Sequence, residues 1–64
     1  MRIKIIKLSH PDRWYRGKIG QIFNTVGGAF KFNDKWVYLI KDRVDEIDRA
    51  HYVDKNDAIV VEDN

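Results

Sequence analysis

A chain of 64 residues without cysteine suits one small domain, and it excludes disulfides and thiolate zinc sites. Apolar residues make up 44% of the chain and charged residues 34%, which is typical of a globular protein and not of a disordered one. No apolar run approaches the roughly 20 residues that cross a bilayer, and residues 1–8 are not typical of a signal peptide. We therefore expect a cytoplasmic protein without a membrane partner.

The net charge of +2 is distributed unevenly along the chain. Residues 1–43 contain ten Lys or Arg and three Asp or Glu, a balance of +7, whereas residues 44–64 contain two and seven, a balance of −5. This asymmetry is typical of an anion-binding face beside an acidic segment. Two solvated surfaces whose charges interleave in the folded protein fit it equally well.

In chain order, short segments with alternating or β-branched apolar residues predict five strands: 1–8, 19–26, 29–32, 35–40 and 58–61. The connections between them carry turn signals. Gly27-Gly28 and Asn33-Asp34 each predict a tight hairpin. Residues 9–18 predict a long loop, and long loops in small domains are often functional. Residues 43–49 have helical spacing and predict a single α-helical or 3₁₀ turn.

Five short strands with tight turns predict an all-β fold, a small barrel or a sandwich, in a single domain over residues 1–64. The apolar positions of these segments predict the core: Ile3, Ile5, Ile19, Ile22, Val26, Phe30, Val37, Leu39, Val44, Ile47, Ile59 and Val61.

The segment from Arg16 to Ile22 resembles the opening of a KOW motif, in which a Gly-x-x-Gly step leads into a strand; here the step is Gly17 to Gly20. Residues 37–44 are similar to the strand and turn that close SH3-like barrels. The resemblance covers roughly residues 16–47. It implies an SH3-like barrel of about five strands, and an association with nucleic acid within a transcription or translation complex.

The candidate binding residues are cations beside aromatic rings, because cations neutralise phosphates and rings stack on single-stranded bases. The set combines the long loop with the second hairpin: Arg13, Trp14, Tyr15, Arg16, Lys18, Lys31, Lys35 and Trp36. The same residue types dominate protein–protein contacts. Trp14 or Tyr15 can also fold back onto the core, and Trp36 can belong either to the core or to an aromatic surface.

The sequence contains few residues of the types that catalyse nucleophilic reactions. Ser9 and His10 are sequence neighbours, and neighbours in an extended chain point to opposite faces, so they predict no catalytic pair. His10 and His51 are the only histidines, and neither has the spacing of a known metal site. We expect no enzymatic activity, no cofactor, no metal and no small-molecule substrate.

Two functions remain open. The first is a nucleic-acid-associated module that binds RNA or single-stranded DNA through the basic and aromatic loop. The alternative is a small protein–protein interaction module, such as a bacterial or phage accessory or inhibitor protein that binds a host protein. The KOW resemblance favours the first.

Overall fold

The structure is a computed structural model that describes residues 1–41 and 51–62. Six strands are described: β1 (Arg2–Ile5), β2 (Ile22–Asn24), β3 (Phe30–Phe32), β4 (Lys35–Leu39), β5 (Tyr52–Asp54) and β6 (Ala58–Glu62). A 3₁₀ turn over Lys55–Asp57 connects the last two. The all-β class is confirmed. The helical turn predicted at 43–49, with the core candidates Val44 and Ile47, lies outside the described residues.

The strands form two antiparallel three-stranded sheets, in the orders β2-β1-β6 and β3-β4-β5. A single bridge between Thr25 and Ile40 joins the end of β2 to the end of β4. Thr25 also donates its backbone N–H to the carbonyl of Met1 at 2.8 Å, which fastens this junction to the start of β1. The described residues thus form six strands in two joined sheets, where about five strands were predicted, and the SH3-like barrel stays a prediction.

The two turn signals had different outcomes. Asn33 and Asp34 have φ angles of 50° and 65°, and they place Phe32 opposite Lys35 as a two-residue hairpin requires. That hairpin is confirmed. The hairpin predicted at Gly27-Gly28 is wrong, because β2 pairs with β1 while β3 pairs with β4. The glycine segment instead carries the chain from one sheet to the other.

The core lies between the two sheets. In β1 the alternation is clean, since Ile3 and Ile5 are fully buried while Arg2 and Lys4 are exposed. The buried apolar cluster draws on both sheets and on the long loop: Ile3, Ile5, Tyr15, Phe23, Tyr38, Ile40, Val53 and Ala58.

Five predicted core residues are wrong, because they are 43–58% exposed: Ile19, Ile22, Val26, Ile59 and Val61. Ile19 and Val26 lie outside the strands, and for Ile22 the reason is the direction in which its strand faces. Phe23 lies opposite the buried Ile3 and fills the core from β2, which turns its neighbour Ile22 outwards. Val37 is buried as predicted but lies outside the main cluster. Phe30 and Leu39 are half-buried.

Candidate functional site

The long loop between β1 and β2 folds into a series of turns. Its backbone N–H groups donate three residues back along the chain: Arg13 to His10 at 3.3 Å, Arg16 to Arg13 at 3.1 Å, Lys18 to Tyr15 at 2.9 Å and Gln21 to Lys18 at 3.0 Å. These turns bring the loop back over the core. They also decide which of its side chains remain available to a ligand.

The Gly17 to Gly20 step bends the chain, with positive φ at both glycines. Gly20 adopts a φ of 94°, a conformation that residues with a Cβ rarely adopt. Its N–H donates to the carbonyl of Ile5 at 2.8 Å, and the N–H of Ile5 donates to Gln21 at 3.0 Å. The step therefore returns the chain to β1 immediately before β2 begins.

Tyr15 is fully buried, so its predicted role in stacking on a base is wrong. Its hydroxyl donates a hydrogen bond to the carboxylate of Asp57, which is also fully buried. Ser9 donates to the same carboxylate through its hydroxyl and through its backbone N–H, the latter at 3.1 Å. Tyr15, Ser9 and Asp57 thus join the loop to the 3₁₀ turn.

The two acidic groups of this network titrate outside their ordinary ranges. Burial, followed by the hydrogen bond to Asp57 and the charge of that carboxylate, raises the pKa of Tyr15. Burial also acts to raise the pKa of Asp57, but hydrogen bonds from Ser9 and Tyr15 and the charge of Lys7 outweigh it. The pKa of Asp57 is therefore lowered. At neutral pH the network contains a charged carboxylate and an intact phenol.

Trp14 is partly buried and packs against the core. Its indole N–H donates to the carbonyl of Tyr52 at 2.8 Å. Its ring meets Tyr15 and Phe23 edge-on, each at 5.4 Å between centroids, and His51 at 4.9 Å. Rings that surround Trp14 edge-on leave little of its face for a base, so of the open readings for Trp14 the structural one fits best.

Arg13 belongs to an ion pair. Its Nη2 lies 3.0 Å from Oδ2 of Asp54, and both side chains are more than half buried. Its predicted contact with a phosphate stays a prediction, and its charge is already compensated by Asp54. On the same loop, Arg16 is exposed and Lys18 is half-buried.

The β3-β4 hairpin carries exposed lysines and an exposed aromatic ring. Trp36 is 54% exposed and lies directly across the strands from Lys31. Lys55 places its Nζ 5.9 Å from the centroid of the Trp36 ring, within the range of a cation–π contact. Lys35 precedes Trp36 in β4 and is exposed; it lies on the Phe32 side of the strand but also lines the groove beside Trp36. We call Lys31, Lys35, Trp36 and Lys55 the lysine–tryptophan surface.

A groove of about 470 Å³ runs along this surface. It is lined by Asp34, Lys35, Trp36, Asp54, Lys55 and Asn56. Two of the predicted site residues line the groove, Lys35 and Trp36, and a third, Lys31, lies across the strands from Trp36. Lys55 was not predicted, because only the pairing of β4 with β5 and the turn that follows bring it to Trp36.

The opposite face of the β3-β4-β5 sheet carries a second group of aromatic side chains. Phe32 and Tyr52 stack with centroids 4.7 Å apart and planes 16° from parallel, and Phe30 meets Tyr52 edge-on at 6.0 Å. A pocket of about 210 Å³ opens beside them, which we call the outer-face pocket. It is lined by Arg13, Phe32, Asn33, Lys35, Val37, Tyr52 and Asp54. The alternation Phe30-x-Phe32 was the signal in the sequence for this face.

Among the described residues, no three His, Asp or Glu side chains lie together as metal ligands would, and no helix there has the length and hydropathy to cross a bilayer. No protein-family model, curated protein or solved structure matches the chain.

Proposed function

We propose that the protein is a non-enzymatic module that binds single-stranded nucleic acid, RNA or DNA, through the lysine–tryptophan surface. In this proposal one base stacks on Trp36 while Lys31, Lys35 and Lys55 contact phosphates. The observation that carries it is the 54% exposed Trp36 ring, with Lys55 at 5.9 Å from its centroid, Lys31 across the strands, and Lys35 in the lining of the same groove. The resemblance of residues 16–47 to a KOW motif supports a place within a transcription or translation complex.

The charges around Trp36 favour an anionic ligand. The residues at and beside the groove include three lysines, Lys31, Lys35 and Lys55. Asp34 is the carboxylate there that has no described ion-pair partner, so the net charge of these four residues is +2. Asp54 also lines the groove, but Arg13 compensates its charge. Each lysine that neutralises a phosphate releases a counterion, so binding should weaken with salt at a slope of about −0.7 per contact on logarithmic axes.

The exposed ring supplies the second part of the affinity. A base stacked on an aromatic side chain contributes about 1–3 kcal/mol and requires no particular base, because every base has a π face. The loop does not supply such a ring, since Tyr15 is buried and Trp14 is enclosed by other rings. The proposed site therefore moves from the loop to the hairpin.

The experiment compares two lysines of equal charge. Lys35 lies on the proposed surface, whereas Lys4 lies exposed on β1 between Ile22 and Ile59 of the other sheet. We expect Lys35→Ala to weaken binding of a short single-stranded oligonucleotide and to reduce its salt slope, while Lys4→Ala changes neither. Equal losses for both variants would show a general charge effect and would contradict a site at the hairpin.

One observation favours the second candidate, a protein–protein interaction module. Strand β6 lies at the edge of its sheet and exposes Ile59, Val60 and Val61 in succession. An exposed apolar edge strand can accept a strand from a protein partner. In this case Val60→Lys would abolish binding of the partner, and binding would tolerate salt.

A further inference from the structure

The outer-face pocket shares two of its lining residues, Lys35 and Asp54, with the groove at Trp36. We propose that this pocket is a second base-binding subsite, so that the hairpin takes two adjacent nucleotides, one base on Trp36 and the next beside Phe32. This inference rests on the proposed function and specifies how the ligand lies on the surface.

The size and lining of the pocket fit a single planar ring. Its volume of about 210 Å³ is below the range of roughly 300–1,000 Å³ that is typical of sites for larger ligands. Phe32 is 42% exposed although one of its faces is stacked on Tyr52. A base on the open side of Phe32 would extend the existing stack to three rings. The buried Val37 contributes an apolar contact to the lining.

The charges at the boundary between the groove and the outer-face pocket fit the phosphate that joins two nucleosides. Asp54 lies at this boundary, but the guanidinium of Arg13 at 3.0 Å compensates its charge. Lys35 is then the cation common to both pockets. A phosphate placed at Lys35 would have one neighbouring nucleoside on the Trp36 side of the hairpin and the other on the Phe32 side.

Polar groups at the hairpin tip can orient the second base. Asn33, held in the left-handed region at a φ of 50°, lines the pocket and offers both a donor and an acceptor on its side-chain amide. A base carries donors and acceptors on its edge, whereas the ring of a phenylalanine from a protein partner carries none. We therefore favour a nucleobase as the occupant.

The test compares thymidine 5′-monophosphate with the dinucleotide TpT by NMR titration of the full chain. We expect TpT to bind about fivefold or more tightly, the smallest gain that one further stacked base gives. The signals of Phe32 and Val37 should shift with TpT. Phe32→Ala should remove the gain, and Phe32→Leu, which keeps most of the apolar volume, should remove it too. Ile22→Ala on the other sheet is the control and should keep it.

The outcomes separate the two proposals. If Phe32→Leu and Phe32→Ala bind TpT as the unmodified chain does, while Trp36→Ala weakens it, the second subsite is wrong and the proposed function stands. If neither TpT nor longer oligonucleotides bind at low salt, the proposed function is wrong and the subsite with it. Binding of an aromatic peptide in the pocket without any binding of TpT would also overturn the inference.

Discussion

The hydroxyl of Tyr15 reaches the carboxylate of Asp57 across 42 positions of sequence, and both residues are fully buried. This hydrogen bond joins the long loop to the 3₁₀ turn that precedes β6. The backbone carbonyl of Asp57 also accepts from the N–H groups of Ile6, at 2.8 Å, and Lys7, at 3.3 Å. Asp57 therefore connects three segments through its side chain and its main chain, and we expect it to be central to stability.

Removal of the Tyr15 hydroxyl should destabilise the protein without emptying the core. Tyr15→Phe keeps the ring but takes one donor from a buried carboxylate, and hydrogen bonds to charged groups contribute about 1.5–3 kcal/mol. The free energy of unfolding from urea titration measures the loss. Tyr52→Phe is the control, because Tyr52 lies on the outer face of its sheet and its hydroxyl makes no hydrogen bond among the described residues. A comparable loss in both variants would contradict the account.

Stability should fall at both ends of the pH scale. The lowered pKa of Asp57 means that its contribution is complete above the ordinary value of 3.8 and is lost as the pH falls through the lower folded value. The raised pKa of Tyr15 means that its contribution is complete below about pH 10 and is lost as the pH rises above it. Unfolding midpoints between pH 2.5 and 7 (about five points) test the acid limb. Asp57→Asn should be less stable at pH 7 and should lose less on acidification; an unchanged slope would contradict this assignment.

The bend at Gly20 should require glycine. Its φ is 94° and a Cβ would meet nothing within 4 Å, so Gly20→Ala isolates the backbone strain. We expect a loss of about 1–2 kcal/mol in the free energy of unfolding. Gly28→Ala is the matched control, because Gly28 is outside the positive-φ region and its added Cβ would lie 3.8 Å from Cε of Met1, an ordinary contact. That variant should be neutral or slightly stabilised, and an equal loss in both would refute the argument.

Neutralisation of Asp34 should strengthen nucleic-acid binding. Asp34 has a φ of 65° in the hairpin turn, and Asn tolerates this conformation as well as Asp does, so Asp34→Asn should keep the fold. It removes the carboxylate nearest in sequence to Lys35 and Trp36, and we expect the affinity for a single-stranded oligonucleotide to rise about two- to fivefold at low salt. Glu62→Gln makes the same change of charge on the other sheet and should have less effect. Weaker binding of the oligonucleotide by Asp34→Asn would contradict the proposed electrostatics of this surface.

The sequence predicted the all-β class and the Asn33-Asp34 hairpin because those features depend on local rules. Strict alternation placed Ile3 and Ile5 in the core, and two consecutive left-handed residues produced the two-residue turn. The pairing of β2 was not predictable in this way. Gly27-Gly28 has the composition of a hairpin turn, but the burial of Phe23 against Ile3 directs β2 to β1.

The candidate site was predicted in part for a similar reason. Lys35 and Trp36 are consecutive residues, so the sequence places both at the hairpin, although neighbours in a strand point to opposite faces. Lys55 reaches Trp36 only through the packing of β5 and the turn after it, 19 positions away. The prediction for the loop was less accurate, because Arg13 and Tyr15 have the residue types of a binding site but contact residues distant in sequence. Arg13 pairs with Asp54, and Tyr15 donates a hydrogen bond to Asp57.

The central claim is that nucleic acid binds at the lysine–tryptophan surface. The most direct measurement is an amide NMR titration with a short mixed-sequence single-stranded oligonucleotide at low salt, repeated at several-fold higher salt and with Trp36→Ala. The account predicts salt-sensitive shifts at Lys31, Lys35, Trp36 and Lys55, and a loss of affinity of about fivefold or more in the variant. The absence of shifts at low salt, or shifts that leave this surface unaffected, would contradict it.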